Sequence, residues 1–165
     1  MNEIHIYDIA TSTWYIQLAS GPTRFGVPKP RQQLCLTLAP AADNSSYNIF
    51  MYGGGQNNRF GGYDEVWILS LPSFVWVKAY EGSNGTVGAS CHLYKQRQML
   101  ITGGRRSDNR DCHVFWKIYD ITDGAWKDEF NPALEGFQVP DVLMAEIGGG
   151  YVLLLNFPVD VGGSC

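Results

Sequence analysis

The nonapeptide IYDIATSTW occupies residues 6–14, and residues 118–126 read IYDITDGAW, which matches it at five of nine positions. A third stretch, ILSLPSFVW at residues 68–76, shares the apolar start and the closing tryptophan. In all three stretches the first isoleucine precedes the tryptophan by eight residues. This shared spacing predicts an internal repeat.

Glycine pairs recur in step with the tryptophans. Gly54 lies 22 residues before Trp76, and Gly104 lies 22 residues before Trp126, so both features advance by 50 residues together. An unrelated β-sandwich would predict neither the 50-residue step nor the fixed spacing between glycine and tryptophan. We therefore predict structural units of about 50 residues.

Each unit is predicted to contain four short antiparallel strands, because its apolar runs are separated by turn residues and none keeps a helical period. The runs are residues 31–39, 46–52, 63–71 and 74–80 in one unit, and 89–94, 97–102, 112–121 and 125–130 in the next. Residues 3–20 supply two more strands, which gives ten. IYDI is then the third strand of a unit, and the tryptophan lies where the fourth begins.

Composition limits the class of function. The 165 residues carry a formal net charge of −4 and the sequence pI is near 5.2, so no nucleic-acid partner is expected. No apolar run reaches the ~18 residues of a membrane span, and the N-terminal residues lack a signal-peptide pattern. Any membrane contact is therefore expected only through segments outside this chain.

Units with a glycine pair at a strand end and a late tryptophan resemble kelch repeats, the blades of a β-propeller. The resemblance covers Glu3 to Phe130 and implies an all-β fold, a partial kelch-type propeller with a half blade and two four-stranded blades. The remaining blades would be missing from this chain. The glycines suit positive φ, and the tryptophan could bridge adjacent blades with its N–H bonded to a carbonyl.

The C-terminal part is predicted to differ from the repeats. Proline at position 140 and glycines from position 148 favour a short helix over residues 141–147, although the first strand of another blade is an alternative. We divide the chain into a partial propeller, residues 1–130, and a tail, residues 131–165.

Several short motifs resemble the closing portion of fungal kelch proteins of the galactose-oxidase-like superfamily. They are SCH at 90–92, QMLITGG at 98–104, Cys112 and VPDVLMAEIGG at 139–149. The resemblance implies a secreted or surface-anchored protein, so an extracellular or cell-surface location is expected, with a cytoplasmic adaptor as the alternative. The sequons at Asn44 and Asn84 are then candidates for glycosylation.

The resemblance to secreted proteins also leads us to expect a disulfide between Cys91 and Cys112. These residues begin the first and third strands of one blade, about two strand spacings apart, so the loop at 105–111 would have to fold back. Cys35 and Cys165 are left without an obvious partner.

No catalytic residue, metal site or cofactor is predicted, and no copper ligand of galactose oxidase matches a position here. Polar loops at 56–62 and 105–111 should instead emerge on one face of adjacent blades, where a protein or glycan partner could bind. The candidate binding residues are Asn57, Asn58, Arg59, Arg105, Arg106 and Arg110. The predicted function is a binding module, and the alternative is part of a copper-radical oxidase whose active site lies largely outside this chain.

Overall fold

The computed structural model describes residues 1–56, 62–106 and 116–147. Ten strands of three or more residues are present in these ranges, together with two strands of two residues and one helix. The elements are β1 (Glu3–Asp8), β2 (Thr13–Leu18), β3 (Gln32–Pro40), β4 (Tyr47–Gly55), β5 (Glu65–Leu71), β6 (Val75–Glu81), β7 (Thr86–Val87), β8 (Ser90–Tyr94), β9 (Gln98–Thr102), β10 (Arg105–Arg106), β11 (Trp116–Asp120), β12 (Ala125–Lys127) and α1 (Asp141–Ile147).

The longer strands form three antiparallel sheets that follow the predicted repeat. The half blade contains β1 and β2, the middle blade has the order β3-β4-β5-β6, and the third blade has the order β8-β9-β11-β12. The two-residue strands β7 and β10 pair with each other. The prediction of an all-β, partial kelch-type propeller is therefore confirmed.

The repeated IYDI stretch ends in the same turn in both copies. The Asp8 Oδ1 atom accepts hydrogen bonds from the backbone N–H groups of Ala10 and Thr11, at 2.8 and 3.3 Å. The Asp120 Oδ1 atom accepts from the N–H groups of Thr122 and Asp123, both at 3.0 Å. The aspartate recurs because its carboxylate satisfies the backbone donors of the tight turn that leads to the tryptophan strand.

The middle blade is apolar on both faces, and each face belongs to a separate hydrophobic cluster. On β4 and β5, Met51 and Trp67 lie in the cluster shared with the half blade. Their chain neighbours Phe50 and Ile68 point to the opposite face and lie in the cluster shared with the third blade. Because successive side chains of a strand alternate between faces, nearly continuous apolar strands are needed at this central position.

The recurring tryptophan of each four-stranded blade packs against the preceding sheet. Trp76 of the middle blade donates its indole N–H to the Met1 carbonyl at 3.0 Å. Trp126 of the third blade meets the rings of Tyr52 and Tyr80 edge-on, with centroid distances of 5.3 and 5.5 Å. The predicted bridging role is confirmed for both residues, and the predicted bond to a carbonyl is confirmed for Trp76.

The helix α1 lies at the residues predicted for it and packs onto the blades. Backbone N–H groups of Leu143 and Met144 donate to the Pro140 carbonyl, which places the proline at the helix start. Leu143 and Phe137 are buried in the cluster between the middle and third blades. The boundary between residues 1–130 and 131–165 stays a prediction, but these two side chains share the core of the propeller part.

Replacing Leu143 by alanine should lower the free energy of unfolding by about 2–5 kcal/mol, because the side chain is fully buried and its removal leaves a cavity. Met144→Ala is the matched control, since Met144 is 38% exposed in the same turn of α1, and should cost less than about 1 kcal/mol. Urea unfolding followed by tryptophan fluorescence measures both variants. Equal losses would show that α1 does not contribute to the core in the way described.

Candidate interaction surface

Two glycine pairs mark one end of the middle and third sheets, which we call the glycine end. Gly53 and Gly54 have φ of 71° and 79°, and Gly103 and Gly104 have φ of 70° and 82°. Residues with a side chain rarely adopt these angles. A Cβ atom on Gly54 would also lie 2.9 Å from the Leu34 Cβ atom on the adjacent strand. The predicted role of the glycines is confirmed, and the same backbone turn opens the next loop in both blades.

The short ladder of β7 and β10 joins the glycine ends of the two blades. Arg106 pairs with Thr86 and Arg105 with Val87. A Cβ atom on Gly53 would lie 2.5 Å from the Thr86 carbonyl oxygen, so the segment that enters the third blade runs directly beside the glycine pair of the middle blade. The two glycine ends are therefore neighbours.

Two of the six candidate binding residues lie within the described residues. Arg105 and Arg106 form β10, so their backbone is held in the ladder with β7. The other four candidates are Asn57, Asn58, Arg59 and Arg110, and they lie outside the described residues. That all six form one binding surface stays a prediction.

A buried ion-pair network supports the glycine end of the middle blade. Arg31, whose side chain is 1% exposed, donates to the Glu65 carboxylate at 2.7 Å and to the Gly53 carbonyl at 3.2 Å. Its guanidinium lies 3.9 Å from the centroid of the Tyr63 ring. Burial of Glu65 opposes its ionisation, but hydrogen bonds from Trp67 and Arg31 outweigh this, and the pKa of Glu65 lies below its ordinary value. Glu65 is therefore a stable anion that fixes Arg31 beside the glycine pair.

A second polar network connects the middle and third blades near the same end. The Asp64 Oδ1 atom accepts a hydrogen bond from the Tyr52 hydroxyl at 3.0 Å, and its Oδ2 atom accepts from the backbone N–H of Asn84 at 3.1 Å. Lys117, from β11, lies 3.2 Å from the Tyr52 hydroxyl and 3.5 Å from Asp64. Burial raises the pKa of Tyr52, so this phenol remains a neutral donor. The network holds β11 against β4.

The disulfide of this protein joins Cys35 to Cys91, with Cα atoms 5.4 Å apart. The predicted bond between Cys91 and Cys112 is wrong, because the Cys91 sulfur is bonded to the sulfur of Cys35, which belongs to the adjacent blade. Cys112 lies outside the described residues. The prediction considered only strands of one blade, whereas β3 and β8, the first strands of neighbouring blades, lie side by side.

The positions of the two cysteines along their strands carry a signal for this pairing. Cys35 pairs across the middle blade with Tyr52, and its side chain belongs to the cluster facing the third blade. Cys91 pairs with Ile101, which is the 50-residue equivalent of Met51, and Met51 faces the preceding blade. The two cysteines therefore occupy positions one residue apart in the repeat, so Cys35 faces the following blade and Cys91 faces the preceding blade. Because side chains alternate, this phase difference points them toward each other.

The two sequons lie at exposed positions. Asn44 is exposed in the turn between β3 and β4, with φ of 58°, and Asn84 is exposed between β6 and β7. In the three described ranges, no helix has the length and apolar character of a membrane span, and no three His, Cys, Asp or Glu side chains are grouped as a metal site. The copper-oxidase alternative stays a prediction for the whole protein.

No family model matches the chain. A curated protein of Arthroderma benhamiae, described as a kelch repeat-containing protein, is 31% identical to it over 181 aligned positions, which cover 90% of this chain. The chain spans 26% of that protein's length.

Non-reducing peptide mapping should recover Cys35 and Cys91 in one linked fragment. Cys35→Ser should lower the free energy of unfolding by about 4 kcal/mol, because the bond closes a loop between residues 56 positions apart in sequence. Cys112→Ser is the control and should retain both the linked fragment and the stability. A linked fragment that contains Cys91 and Cys112 would contradict the pairing described.

Proposed function

We propose that this chain, a kelch repeat homologue with two complete four-stranded blades, is an interaction module that binds a protein partner at the glycine end. The observation that carries the proposal is that two neighbouring blades have the same backbone feature, a pair of glycines with positive φ. Gly53 and Gly54 lie within the last three residues of β4, and Gly103 and Gly104 directly follow β9, so each pair marks the end of the second strand of its sheet. Loops held by a rigid scaffold are the usual location of binding residues in repeat architectures.

The described residues at the base of the loops support a rigid platform. Gly55 and Gly62 form an isolated antiparallel bridge that closes the first loop. The Gln56 side chain donates to the Pro30 carbonyl at 3.0 Å just inside this bridge. The second loop leaves from β10, whose ladder with β7 fixes its first residues. A partner that contacts both loops would therefore meet pre-ordered bases, which reduces the entropic cost of binding.

The composition of the two loops favours a protein partner. Arginine is enriched at protein interfaces, where its planar group makes several hydrogen bonds and stacks on rings. Here arginines alternate with asparagine and aspartate, so the surface carries both donors and acceptors. Such a mixture favours a partner that is itself of mixed charge over a polyanion.

We further propose that the protein is secreted or exposed at the cell surface. The Cys35–Cys91 disulfide supports this location, because disulfides persist in oxidising compartments and are rare in the cytosol. The exposure of Asn44 and Asn84 is compatible with glycan attachment at both sequons.

A photo-crosslinking amino acid at position 58 should trap a discrete partner in extracts of the source organism, whereas the same group at Thr11, in the turn between β1 and β2, should not. Replacing Arg59 and Arg110 together by glutamate should lower the yield from position 58 about tenfold, as expected for loss of an interface hot spot. Mass spectrometry of the trapped species measures both results. Equal trapping from position 11, or no loss in the glutamate variant, would contradict the proposed surface.

Peptide N-glycosidase F should lower the mass of the protein isolated from its native host. Asn44→Gln and Asn84→Gln should each remove part of that decrease, because each substitution deletes one acceptor amide. Thr11→Ala, at an exposed position outside both sequons, should leave the decrease unchanged. A native protein whose mass is unaffected by the enzyme would remove one support for the surface location.

A further inference from the structure

The sequon at Asn84 has an exposed asparagine and a buried hydroxyl residue. Residues 84–86 read Asn-Gly-Thr. Asn84 is exposed, whereas Gly85 is buried and Thr86 is 1% exposed. The acceptor motif requires a hydroxyl two residues after the asparagine, which indicates that the enzyme that transfers the glycan must reach this side chain as well as the amide. The folded chain therefore presents the acceptor amide without the hydroxyl that accompanies it.

The backbone of the middle blade closes around Gly85 and Thr86. A Cβ atom on Gly62 would lie 2.9 Å from the Thr86 nitrogen and 3.1 Å from the Gly85 carbonyl carbon. A Cβ atom on Gly53 would lie 2.5 Å from the Thr86 carbonyl oxygen. The two glycines leave just enough room for the segment that carries the sequon, so this segment packs directly on the backbone of the middle blade.

The third blade covers Thr86 from the other side. Thr86 pairs with Arg106 in the ladder of β7 and β10. A Cβ atom on Gly104 would lie 2.8 Å from the γ-methyl carbon of Thr86. Gly104 and Arg106 follow Thr86 by 18 and 20 residues, so both are synthesised after the sequon. Closure around Thr86 therefore requires a later part of the chain to be in place.

The backbone just before the sequon is also held. The Gly82 N–H group donates to the Asp64 carbonyl at 2.7 Å, and the Asn84 N–H group donates to the Asp64 Oδ2 atom at 3.1 Å. Asp64 is itself buried, with 6% of its surface exposed. An acceptor segment has to leave the protein surface to enter the active site of another enzyme. These two bonds and the contacts of Thr86 oppose that movement in the folded chain.

The other sequon is held in a different way. Asn44 and Ser45 are exposed, and Ser46 is half-buried. The Ala41 N–H group donates to the Ser46 carbonyl, and the Asn44 N–H group donates to the Ala41 carbonyl, both at 2.9 Å. These bonds lie within one turn between β3 and β4, and the third blade is not needed to form them. Asn44 is therefore an internal reference for the behaviour of Asn84.

We propose that Asn84 accepts an N-linked glycan only before the third blade folds against the middle blade. The proposal rests on the secreted or surface location proposed above. In the reaction, the Asn84 amide nitrogen bonds to the anomeric carbon of a lipid-linked oligosaccharide and loses one proton. The bond from that carbon to the lipid pyrophosphate breaks, and the pyrophosphate leaves with the electron pair. The attached glycan fits the folded chain because Asn84 is exposed.

The test begins with unglycosylated chain that is refolded with its disulfide intact. It is incubated with purified oligosaccharyltransferase and a lipid-linked oligosaccharide, and peptide mass spectrometry measures the glycan at each sequon. Gly62→Val should raise acceptance at Asn84 at least about tenfold, because the added side chain displaces Thr86 and acceptance requires a local opening. Equal acceptance at Asn84 in the wild-type chain and in this variant would overturn the proposal.

Two controls separate local opening from general unfolding. Acceptance at Asn44 should be the same in the wild-type chain and in Gly62→Val, because its turn is closed by its own bonds. Leu143→Ala lowers stability through the core between the blades and should leave acceptance at Asn84 unchanged. An equal rise at both sequons, or an equal rise at Asn84 in Leu143→Ala, would overturn the proposal, since exposure would then follow unfolding of the whole chain.

A second arm offers the sequon to the transferase before folding. The full chain is synthesised behind a signal peptide into microsomes, and Asn84 should then carry the glycan. Its absence from Asn84 in this arm would also overturn the proposal. Both arms supply the transferase in vitro, so their results do not depend on where the native protein is located. A failure of the proposed location would appear instead as native protein whose mass peptide N-glycosidase F leaves unchanged.

Discussion

The middle sheet of this protein is apolar on both faces, and this constraint governs the rest of the structure. A sheet with one apolar face can be satisfied by a single layer of cover, whereas the middle blade needs a neighbour on each side. Phe50 and Ile68 face the third blade, and Met51 and Trp67 face the half blade. The tryptophans, the glycine pairs and the tail all act at the places where one sheet meets the next. Stability is therefore a property of the interfaces more than of any single blade.

The polar networks are located where the interfaces end. Arg31 and Glu65 fix the glycine end of the middle blade, and Asp64 collects donors from Tyr52, Lys117 and the backbone of Asn84. Every one of these groups has an assigned structural partner, so none of them needs a ligand to explain its presence.

Much of the fold could be predicted from the sequence because its signals are local and repeated. The spacing of glycine and tryptophan reports the backbone conformation of a turn and the packing of one indole, and both recur in consecutive units. The disulfide could not be found in the same way, since Cys35 and Cys91 belong to different units and only the face of each strand relates them. Burial of Phe137 also escaped prediction, because its segment has no period and its partner Phe50 is distant in sequence. For the candidate site, the sequence indicated which loops share an end of the sheets. It did not indicate that Arg105 and Arg106 would form a strand, because a two-residue ladder depends on β7 arriving beside it.

The Cys35–Cys91 bond also constrains how such a chain can evolve. Repeat proteins commonly gain and lose whole units, since each unit contacts only its neighbours. Here the two half-cystines belong to different units, and each is matched to the strand face of the other. A duplication or deletion of one 50-residue unit would leave a thiol without its partner at the interface between two blades. The disulfide therefore favours the gain or loss of the middle and third blades together, as one unit.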